Sequence, residues 1–528
     1  MPRVRGALLL ALALTPALTA KAQTAGLGSV AFPTSGAPKA QPAFLRGLAL
    51  LHSFEYDDAA DAFREAQRLD PSFAMAYWGE ALTYDHPLWG EHDSTAARAA
   101  LLCLARTPEA RIARGKTPRE RAYLTAVEAL YAEGTRATRY QAYEAAMARV
   151  QERYPDDLDA AALHALALLA IRPKSTTDLR TTVRSAAISE AVLRRNPTHP
   201  GATHYLIHAY DDPVLAPLGV PVARRYARIA PRAEHALHMP SHIFVQIGSW
   251  DETVASNEAA WTASKAWVKR KRLPNSELDL HTAQWLHYGY LQQGRFARAQ
   301  ALADSIDALY SVEATDSMPM HVHMYRTMMG VETVVETGHW DSVPPSPLPS
   351  RGAPLYRTAL SAYHRGDRAT VDSALARYRR LRDSLAVAGD TIQPAMHAME
   401  RKLASLQARM ADQPDSAVAA LARAAELEEE LTFVGPPIVP PARELLGELL
   451  LELGRLPEAA AAFDATLQRT PNRSSALLGR ARTAARAGDS VAEREYYGKL
   501  LINWRRADPG LPELAEAKQA VEKVAAAR

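Results

Sequence analysis

The chain has 528 residues, of which 48% are apolar and 23% charged, and its formal net charge is only +3 at pH 7. The apolar fraction is enough for an extensive buried core. The small net charge and the lack of a dense basic run argue against nucleic acid as a partner. No segment after the first twenty or so residues is apolar enough to predict a membrane span.

The N-terminal residues are typical of a secretory signal peptide. Arg3 and Arg5 precede a short apolar stretch, residues 7–19, and Ala20-Lys21-Ala22 matches the A-x-A cleavage pattern. An uncleaved membrane anchor is the alternative, but about thirteen apolar residues fall short of the ~20 that a spanning helix needs. The sequence therefore predicts cleavage near Ala22 and an exported protein, periplasmic or secreted, that begins at Gln23.

A repeating pattern begins after residues 23–39, whose Gly, Pro, Ser, Thr and Ala predict a flexible mature N-terminus. The pattern has small residues, an aromatic and a proline at the spacing of a helix-turn-helix unit of ~34 residues. These positions are Gly47, Ala59, Phe63, Ala66 and Pro71. The stretch resembles a tetratricopeptide repeat, in which small residues let two antiparallel helices approach closely and the proline ends the second helix.

The same frame returns near the C-terminus, at Gly447, Gly454, Ala459, Phe463 and Pro471, and continues to Gly488. Weaker copies of its inter-helix turn lie between, at Gly248, Gly294, Gly338 and Gly366. About ten repeats, some degenerate, would account for residues 40–507. The sequence therefore predicts an all-α fold, a helical-repeat superhelix or solenoid of the tetratricopeptide type.

Breaks in the repeat pattern suggest how the chain is divided. The repeat phase is lost at residues 85–118 and again at 211–221, and a third loop covers 435–441. The predicted segments are a signal peptide (1–22), a flexible N-terminus (23–39), an N-terminal array (40–343), a Pro-rich linker (344–354), a C-terminal array (355–510) and a capping helix (511–528).

The strongest candidate site is a histidine-rich stretch of the N-terminal array. His235, His238 and His242 are spaced i, i+3 and i+7, and His204 and His208 i, i+4, so each set shares a helix face. Neighbouring imidazoles repel when protonated, and a bound cation would compensate. We therefore predict that these five histidines bind a transition metal ion such as zinc, copper or iron. The alternative is a polar lining of neutral imidazoles that recognises a polar or anionic ligand.

The repeat frame assigns further residues to the same concave face. Positions that line the groove in the family resembled include those of His52, His86 and His281. A single groove histidine such as His52 is more often only a hydrogen-bond partner. Pro240 is expected to kink or restart the helix between His238 and His242. Residues expected to contact a ligand or to orient the metal-binding histidines are His86, Asp211, His281, Tyr205, Tyr288 and Glu332.

Three stretches carry a narrower resemblance, to a group of exported bacterial tetratricopeptide-repeat proteins. They are His-Pro-Leu-Trp at 86–89, His-Tyr-Leu-Ile-His-Ala-Tyr-Asp at 204–211 and His-Met-Pro-Ser-His-Ile-Phe at 238–244. This likeness implies no particular activity, and no nucleophile elbow, phosphate-binding loop or His-Glu-x-x-His pattern is present. The predicted function is a scaffold whose groove binds a protein, peptide or small ligand and whose histidine patch can bind metal. A metal-dependent enzyme with an open metal site is the alternative.

Cleavage of the leader is the first testable prediction. Exported protein should begin at Gln23 when its N-terminus is sequenced, because Ala20 and Ala22 fit the small pockets that read the A-x-A pattern. Ala22→Leu should block cleavage, whereas Lys21→Gln, at the position that the pattern leaves open, should not. Exported wild-type protein that begins at Met1 would contradict the prediction.

Overall fold

The computed structural model describes residues 24–173, 178–310, 319–340, 352–387, 393–431 and 435–526. The predicted signal peptide lies outside these ranges, as do residues 344–351 of the predicted linker. The described residues form helices and one two-stranded hairpin, which confirms the predicted all-α, helical-repeat class. Among the described residues, no helix has both the length and the hydropathy that crossing a bilayer requires.

The chain divides into two compact units. Of the described residues, the first unit contains 24–173, 178–210 and 218–240, and the second contains 211–217 and 241–526. The change from one unit to the other at Pro240 lies well before the predicted linker, whose last three residues belong to a helix that begins at Gly352. The linker between two arrays stays a prediction.

The elements up to Pro240 alternate as helix pairs, apart from the hairpin. The helices are α1 (Gln41–His52), α2 (Tyr56–Leu69), α3 (Ala74–Leu82), α4 (Ser94–Leu104), α5 (Pro108–Arg114), α6 (Pro118–Leu130), α7 (Arg136–Arg153), α8 (Leu158–Ala170), α9 (Arg180–Arg195), α10 (Pro200–Tyr210), α11 (Ala216–Ile229) and α12 (Glu234–His238). Strands β1 (Asp85–His86) and β2 (Glu91–His92) pair antiparallel, with Asp85 opposite His92. This hairpin is the predicted break in the repeat phase.

The remaining elements continue the helical pattern, with one short 3-10 turn at Asn275–Glu277. They are α13 (Pro240–Gln246), α14 (Trp250–Lys271), α15 (Leu280–Gln292), α16 (Phe296–Tyr310), α17 (Met320–Thr337), α18 (Gly352–His364), α19 (Arg368–Val387), α20 (Pro394–Met410), α21 (Pro414–Glu429), α22 (Ala442–Glu452), α23 (Leu456–Arg469), α24 (Ser474–Ala487), α25 (Ser490–Asn503) and α26 (Pro512–Ala526).

An aromatic ring packed against two glycines holds the regular repeats together. Phe63 on α2 is fully buried, and a Cβ added at Gly47 on α1 or Gly79 on α3 would lie 2.9 or 2.4 Å from its ring. In the second unit, Phe463 has the same two neighbours, Gly447 and Gly479. The ring therefore occupies the space that absent side chains leave, which confirms the repeat frame predicted at both places.

The turn between paired helices needs a left-handed residue, and glycine supplies it. The glycines that the repeat frame predicts at this turn have φ between +65° and +74°. They are Gly248, Gly294, Gly338, Gly366, Gly454 and Gly488. A residue in this conformation after the last helical turn lets the following amides bond back to the final carbonyls, which reverses the chain into the next helix.

Two glycine-to-alanine substitutions should have opposite effects on stability. Gly479→Ala would place a methyl group 2.3 Å from the Phe463 ring and should lower the free energy of unfolding by roughly 1–3 kcal/mol. Gly498→Ala, in α25, meets no atom within 4 Å and should raise it by roughly 0.5–1 kcal/mol through better helix propensity. Urea denaturation measures both, and equal effects would contradict the close approach at Phe463.

Candidate metal centre

Three histidines of the first unit converge, two from α10 and one from the start of α12. One ring nitrogen from each of His204, His208 and His235 lies within 4.8 Å of the other two. The ring centroid of His204 is 4.8 Å from that of His208 and 5.0 Å from that of His235. His204 and His208 are buried, and His235 is half-buried. We refer to these three residues as the histidine triad.

A backbone carbonyl orients the first ring of the triad. The Nδ1 atom of His204 lies 2.8 Å from the carbonyl oxygen of His52, so Nδ1 carries the proton and donates it. A neutral imidazole has a single N–H, and the lone pair of this ring is therefore on Nε2. Histidines that bind metals usually donate their other N–H to a carbonyl or carboxylate in this way.

Phe54 lies against all three rings of the triad. Its ring centroid is 4.3 Å from that of His204, 5.9 Å from that of His208 and 5.6 Å from that of His235. The φ angle of Phe54 is +59°, which a bulky residue rarely adopts and which costs on the order of 1–3 kcal/mol. The amide of Glu55 bonds to the Leu50 carbonyl, so this left-handed residue ends α1 and turns its ring toward the imidazoles.

The hairpin brings a second aromatic ring to the triad. Trp89 is 50% exposed and lies edge-on to His235, with centroids 5.4 Å apart. His86, predicted to contact a ligand, uses both ring nitrogens elsewhere: Nδ1 is 2.7 Å from a Glu91 oxygen and Nε2 is 3.1 Å from the Thr83 carbonyl oxygen. His86 therefore stabilises the hairpin and is not a metal ligand in this arrangement.

The structure corrects the predicted exposure of the histidine patch. The prediction placed its residues on an open concave face, but His204, His208, His238 and His242 are all buried. Phe54 covers His204 and His208, and Trp285 lies against His242. Periodicity indicates which residues share a helix face, but it contains no information about the side chains that cover that face.

The chain restarts its helix at Pro240, as predicted. Helix α12 ends at His238 and α13 begins at Pro240. His238 belongs to the first unit, where its ring centroid is 5.9 Å from that of His235. The five predicted ligands thus fall into two units, and only His204, His208 and His235 form a close group in the first.

In the second unit, His242 pairs with an aspartate. Its Nδ1 lies 2.7 Å from Oδ2 of Asp211, whose Oδ1 accepts a hydrogen bond of 3.0 Å from Gln246. The ring of His281 is 6.2 Å away, centroid to centroid. Burial lowers the pKa of His281 to about 4. Asp211 thus orients a buried histidine, and its role beside a metal-binding histidine stays a prediction.

A second buried cluster of the first unit was missed as a group, because it joins residues far apart in sequence. His52, Asp159 and His199 also bring one ligand atom each within 4.8 Å of the others. His52 donates from Nε2 to Asp159 Oδ1 at 3.0 Å, and its Nδ1 is 2.9 Å from the hydroxyl of Tyr205. Tyr205 is therefore a hydrogen-bond partner of His52. His52 itself is a hydrogen-bonding residue, which is the role that the sequence favours for it.

The positions of the N–H protons on the two rings of this second cluster disfavour a metal ion there. The Nδ1 atom of His199 accepts the backbone N–H of Ala202 at 3.1 Å, so in the neutral ring the proton is on Nε2, 3.3 Å from Asp159 Oδ1. Burial raises the pKa of Asp159, but hydrogen bonds from His199 and His52 outweigh it and hold that pKa below its ordinary value. Both rings direct an N–H group, not a lone pair, at the Asp159 carboxylate, so neither offers a ligand atom to an ion between them.

Glu332 lies in a different network, in the second unit. It accepts a hydrogen bond from Gln284, and its Oε2 is 3.0 Å from Nδ1 of His287. Thr333 donates its hydroxyl proton to the Met329 carbonyl, so His287 Nε2, at 2.9 Å from that hydroxyl, is the donor. Nδ1 of His287 then has only a lone pair, and Glu332 must be protonated. Burial raises the pKa of Glu332 and lowers that of His287 to about 3. Both shifts favour a protonated Glu332 beside a neutral His287.

Tyr288 belongs to a buried ion cluster of the second unit. Arg473 donates to its hydroxyl at 2.7 Å, to both carboxylate oxygens of Glu444 at 2.7 and 2.8 Å and to Glu336 at 2.7 Å. Arg473 is only 1% exposed, and a buried charge of this kind is tolerated because all its partners are present. Arg473 and Tyr288 are 185 residues apart, and no sequence pattern indicates that they interact.

Comparison with known proteins identifies the repeats in the C-terminal part of the chain. The sequence profile of the tetratricopeptide repeat matches residues 401–474 and 444–512. A search of curated protein sequences found no significant match. Among solved structures, the human IFIT1 dimer with m7Gppp-AAAA is similar at 13% identity, with 93% of this chain and 95% of that chain covered and a TM-score of 0.37. The Cut9-Hcn1 hetero-tetramer of the APC/C has 10% identity, 93% and 77% coverage and a TM-score of 0.35.

The protonated state of Glu332 gives a pH-dependent prediction. Because burial raises its pKa above the unfolded value of about 4.3, the stability that this group contributes is present at low pH and is lost as the pH rises through the folded pKa. Glu332→Gln keeps an N–H donor toward His287 and does not titrate. The variant should therefore gain stability relative to wild type as the pH rises from about 5 to 9.

Urea denaturation at several pH values measures this difference. Glu495→Gln, an exposed carboxylate on α25, is the matched control, and its difference from wild type should stay small at every pH. A Glu332→Gln variant that loses stability relative to wild type as the pH rises would show that Glu332 is ionised in the folded protein.

Proposed function

Because this chain carries tetratricopeptide repeats, we propose that it is an exported scaffold that binds a protein, peptide or small ligand and holds a transition metal ion at the histidine triad. Repeat arrays of this type offer extended binding surfaces, and protein binding is the general function that the fold suggests. Export rests on the N-terminal sequence pattern. The small net charge favours these partners over nucleic acid.

The observation that carries the metal proposal is the convergence of His204, His208 and His235 within 4.8 Å. Tetrahedral zinc with Zn–N bonds of 2.0–2.1 Å needs nitrogen atoms about 3.3 Å apart. Ring rotations of about 1 Å at the nitrogens would close the difference. The carbonyl of His52 already selects Nε2 of His204 as a ligand atom. Imidazole is a suitable ligand for zinc, copper and iron.

A site of three histidines supports a second candidate function, a metal-dependent enzyme. Three protein ligands leave one tetrahedral position for water or substrate, as in catalytic zinc sites, whereas structural sites use four. His235, the half-buried member of the triad, lies on the side of the exposed Trp89. The open position would be on that side, since Phe54 covers the others. The binding scaffold remains the first proposal, because nothing beyond the open position favours turnover.

Metal content tests the proposal directly. Untagged protein purified without a metal resin should contain close to one transition metal ion per chain by elemental analysis. His208→Gln, which removes one ligand and keeps a polar side chain of similar size, should weaken zinc binding by more than about 100-fold. This is a larger loss of affinity than the removal of a residue that only orients a ligand would cause. Affinity should also fall as the pH drops below about 6.5, because protonated imidazole cannot bind metal.

His397→Gln is the matched control, since His397 is exposed on α20 and far along the chain. It should leave metal content and affinity unchanged. A wild-type protein without metal at neutral pH that also fails to bind added zinc would contradict the proposal, as would a His208→Gln variant with wild-type affinity. The triad would then be a set of buried hydrogen-bonding groups.

A further inference from the structure

Arg357 of the second unit is a buried arginine without a counter-charge. It lies on α18 and is 9% exposed, and its Nε–H is buried without an acceptor among the described residues. Burial lowers the pKa of Arg357, and no carboxylate of those residues acts on it. Arginine nevertheless stays protonated in proteins. The missing counter-charge therefore does not depend on the assignment of a proton.

Arg473 of the same unit shows the partners that a buried guanidinium normally has. It donates to two glutamates and to a tyrosine hydroxyl. A buried charge that lacks such partners is strongly destabilising. Arg357 instead lies beside α17, where a Cβ added at Gly330 would be 3.2 Å from its Nη1. The glycine leaves room for the guanidinium but offers it no negative charge.

Ser361 adds an unpaired hydroxyl to the same face of α18. It follows Arg357 by four residues, so the two side chains are neighbours on the helix surface. Ser361 is 1% exposed, and its hydroxyl is buried with no partner in the part of the chain that the structure describes. Thr358 of this helix donates its hydroxyl proton to the Pro354 carbonyl at 3.0 Å, which is the usual bond for a hydroxyl inside a helix. Ser361 does not make that bond, so its proton is available to a ligand.

The two unpaired groups require the same kind of partner. Both the guanidinium and the hydroxyl can donate hydrogen bonds, and each buried donor without an acceptor costs free energy. A water molecule could accept these protons, but it would not balance the positive charge of Arg357. A bound anion would relieve both costs at once.

We propose that Arg357 and Ser361 bind an oxyanion, the phosphate or carboxylate group of a small ligand, on the face of α18 that lies beside α17. The guanidinium presents a planar fork of N–H donors that matches two oxygens of one phosphate or carboxylate group. The serine hydroxyl, one helical turn further on, donates to the same group. This site lies in the second unit, whereas the histidine triad lies in the first, and binding does not require a metal ion.

Calorimetric titration of the full chain with inorganic phosphate, acetate and chloride tests this. At least one of the two oxyanions should bind about tenfold or more tightly than chloride, because only an oxyanion offers two acceptor atoms to the fork. Tighter binding of phosphate would identify a phosphate group as the ligand's anionic part, and tighter binding of acetate a carboxylate. Protein treated with a chelator should give the same affinities. Binding that is lost on chelation would place the anion on a metal ion and overturn the proposal.

Two variants assign the binding to α18. Arg357→Met keeps an unbranched side chain without charge and should weaken oxyanion binding at least about tenfold. Without an anion, this variant should also unfold at a higher urea concentration than wild type, because an unpaired buried charge is gone. Ser361→Ala removes one hydroxyl donor and should weaken binding roughly 2- to 10-fold. Arg377→Met, at an exposed position of α19, is the matched control and should leave affinity and unfolding midpoint unchanged.

The proposal fails if wild-type protein binds neither oxyanion at millimolar concentration, or binds chloride as tightly as both. This comparison of anions on the wild type does not depend on whether a variant folds. Folded Arg357→Met protein that binds the oxyanion with wild-type affinity would place the anion at another site and overturn the assignment to α18.

Discussion

The close approach of paired helices at glycine is the constraint on which the rest of the structure depends. Phe63 and Phe463 each fill the space beside two glycines, where any Cβ would lie 3.0 Å or less from the ring. Helices in such contact have axes about 8–10 Å apart. At that separation, side chains of consecutive helices reach one another.

Burial then determines what each polar side chain can do, because every buried donor needs an acceptor. His204 gives its proton to a carbonyl and keeps a lone pair on Nε2. His199 accepts a backbone N–H and directs its own proton at Asp159. Each ring belongs to a group of three possible metal ligands within 4.8 Å, but of the two only His204 keeps its Nε2 lone pair for a metal ion. The same accounting assigns a proton to Glu332.

The sequence predicted the fold because the residues that pack the helices of each repeat are close together in the sequence. Glycine, alanine, phenylalanine and proline recur at fixed intervals, and the structure has helices and left-handed turns at those places. The sequence also indicated His204, His208 and His235, since helical periodicity groups them. It could not show that Phe54 covers them, because its left-handed φ is a consequence of how α1 ends.

Long-range partners were beyond sequence reasoning for a different reason. His52 and Asp159 are 107 residues apart, and Arg473 and Glu444 lie in separate helices of the repeat array. Such pairs form only after the helices have stacked, and no local pattern records them. The boundary between the units at Pro240 was likewise missed, although the same proline was correctly expected to interrupt the helix.

X-ray absorption spectroscopy of the zinc-loaded protein tests the central claim most directly, because it counts ligands by type and distance. The triad predicts three imidazole nitrogens at about 2.0–2.1 Å and one further light ligand, with the multiple-scattering signature of histidine rings. Coordination by oxygen alone, or by a single imidazole, would show that His204, His208 and His235 do not hold the ion together.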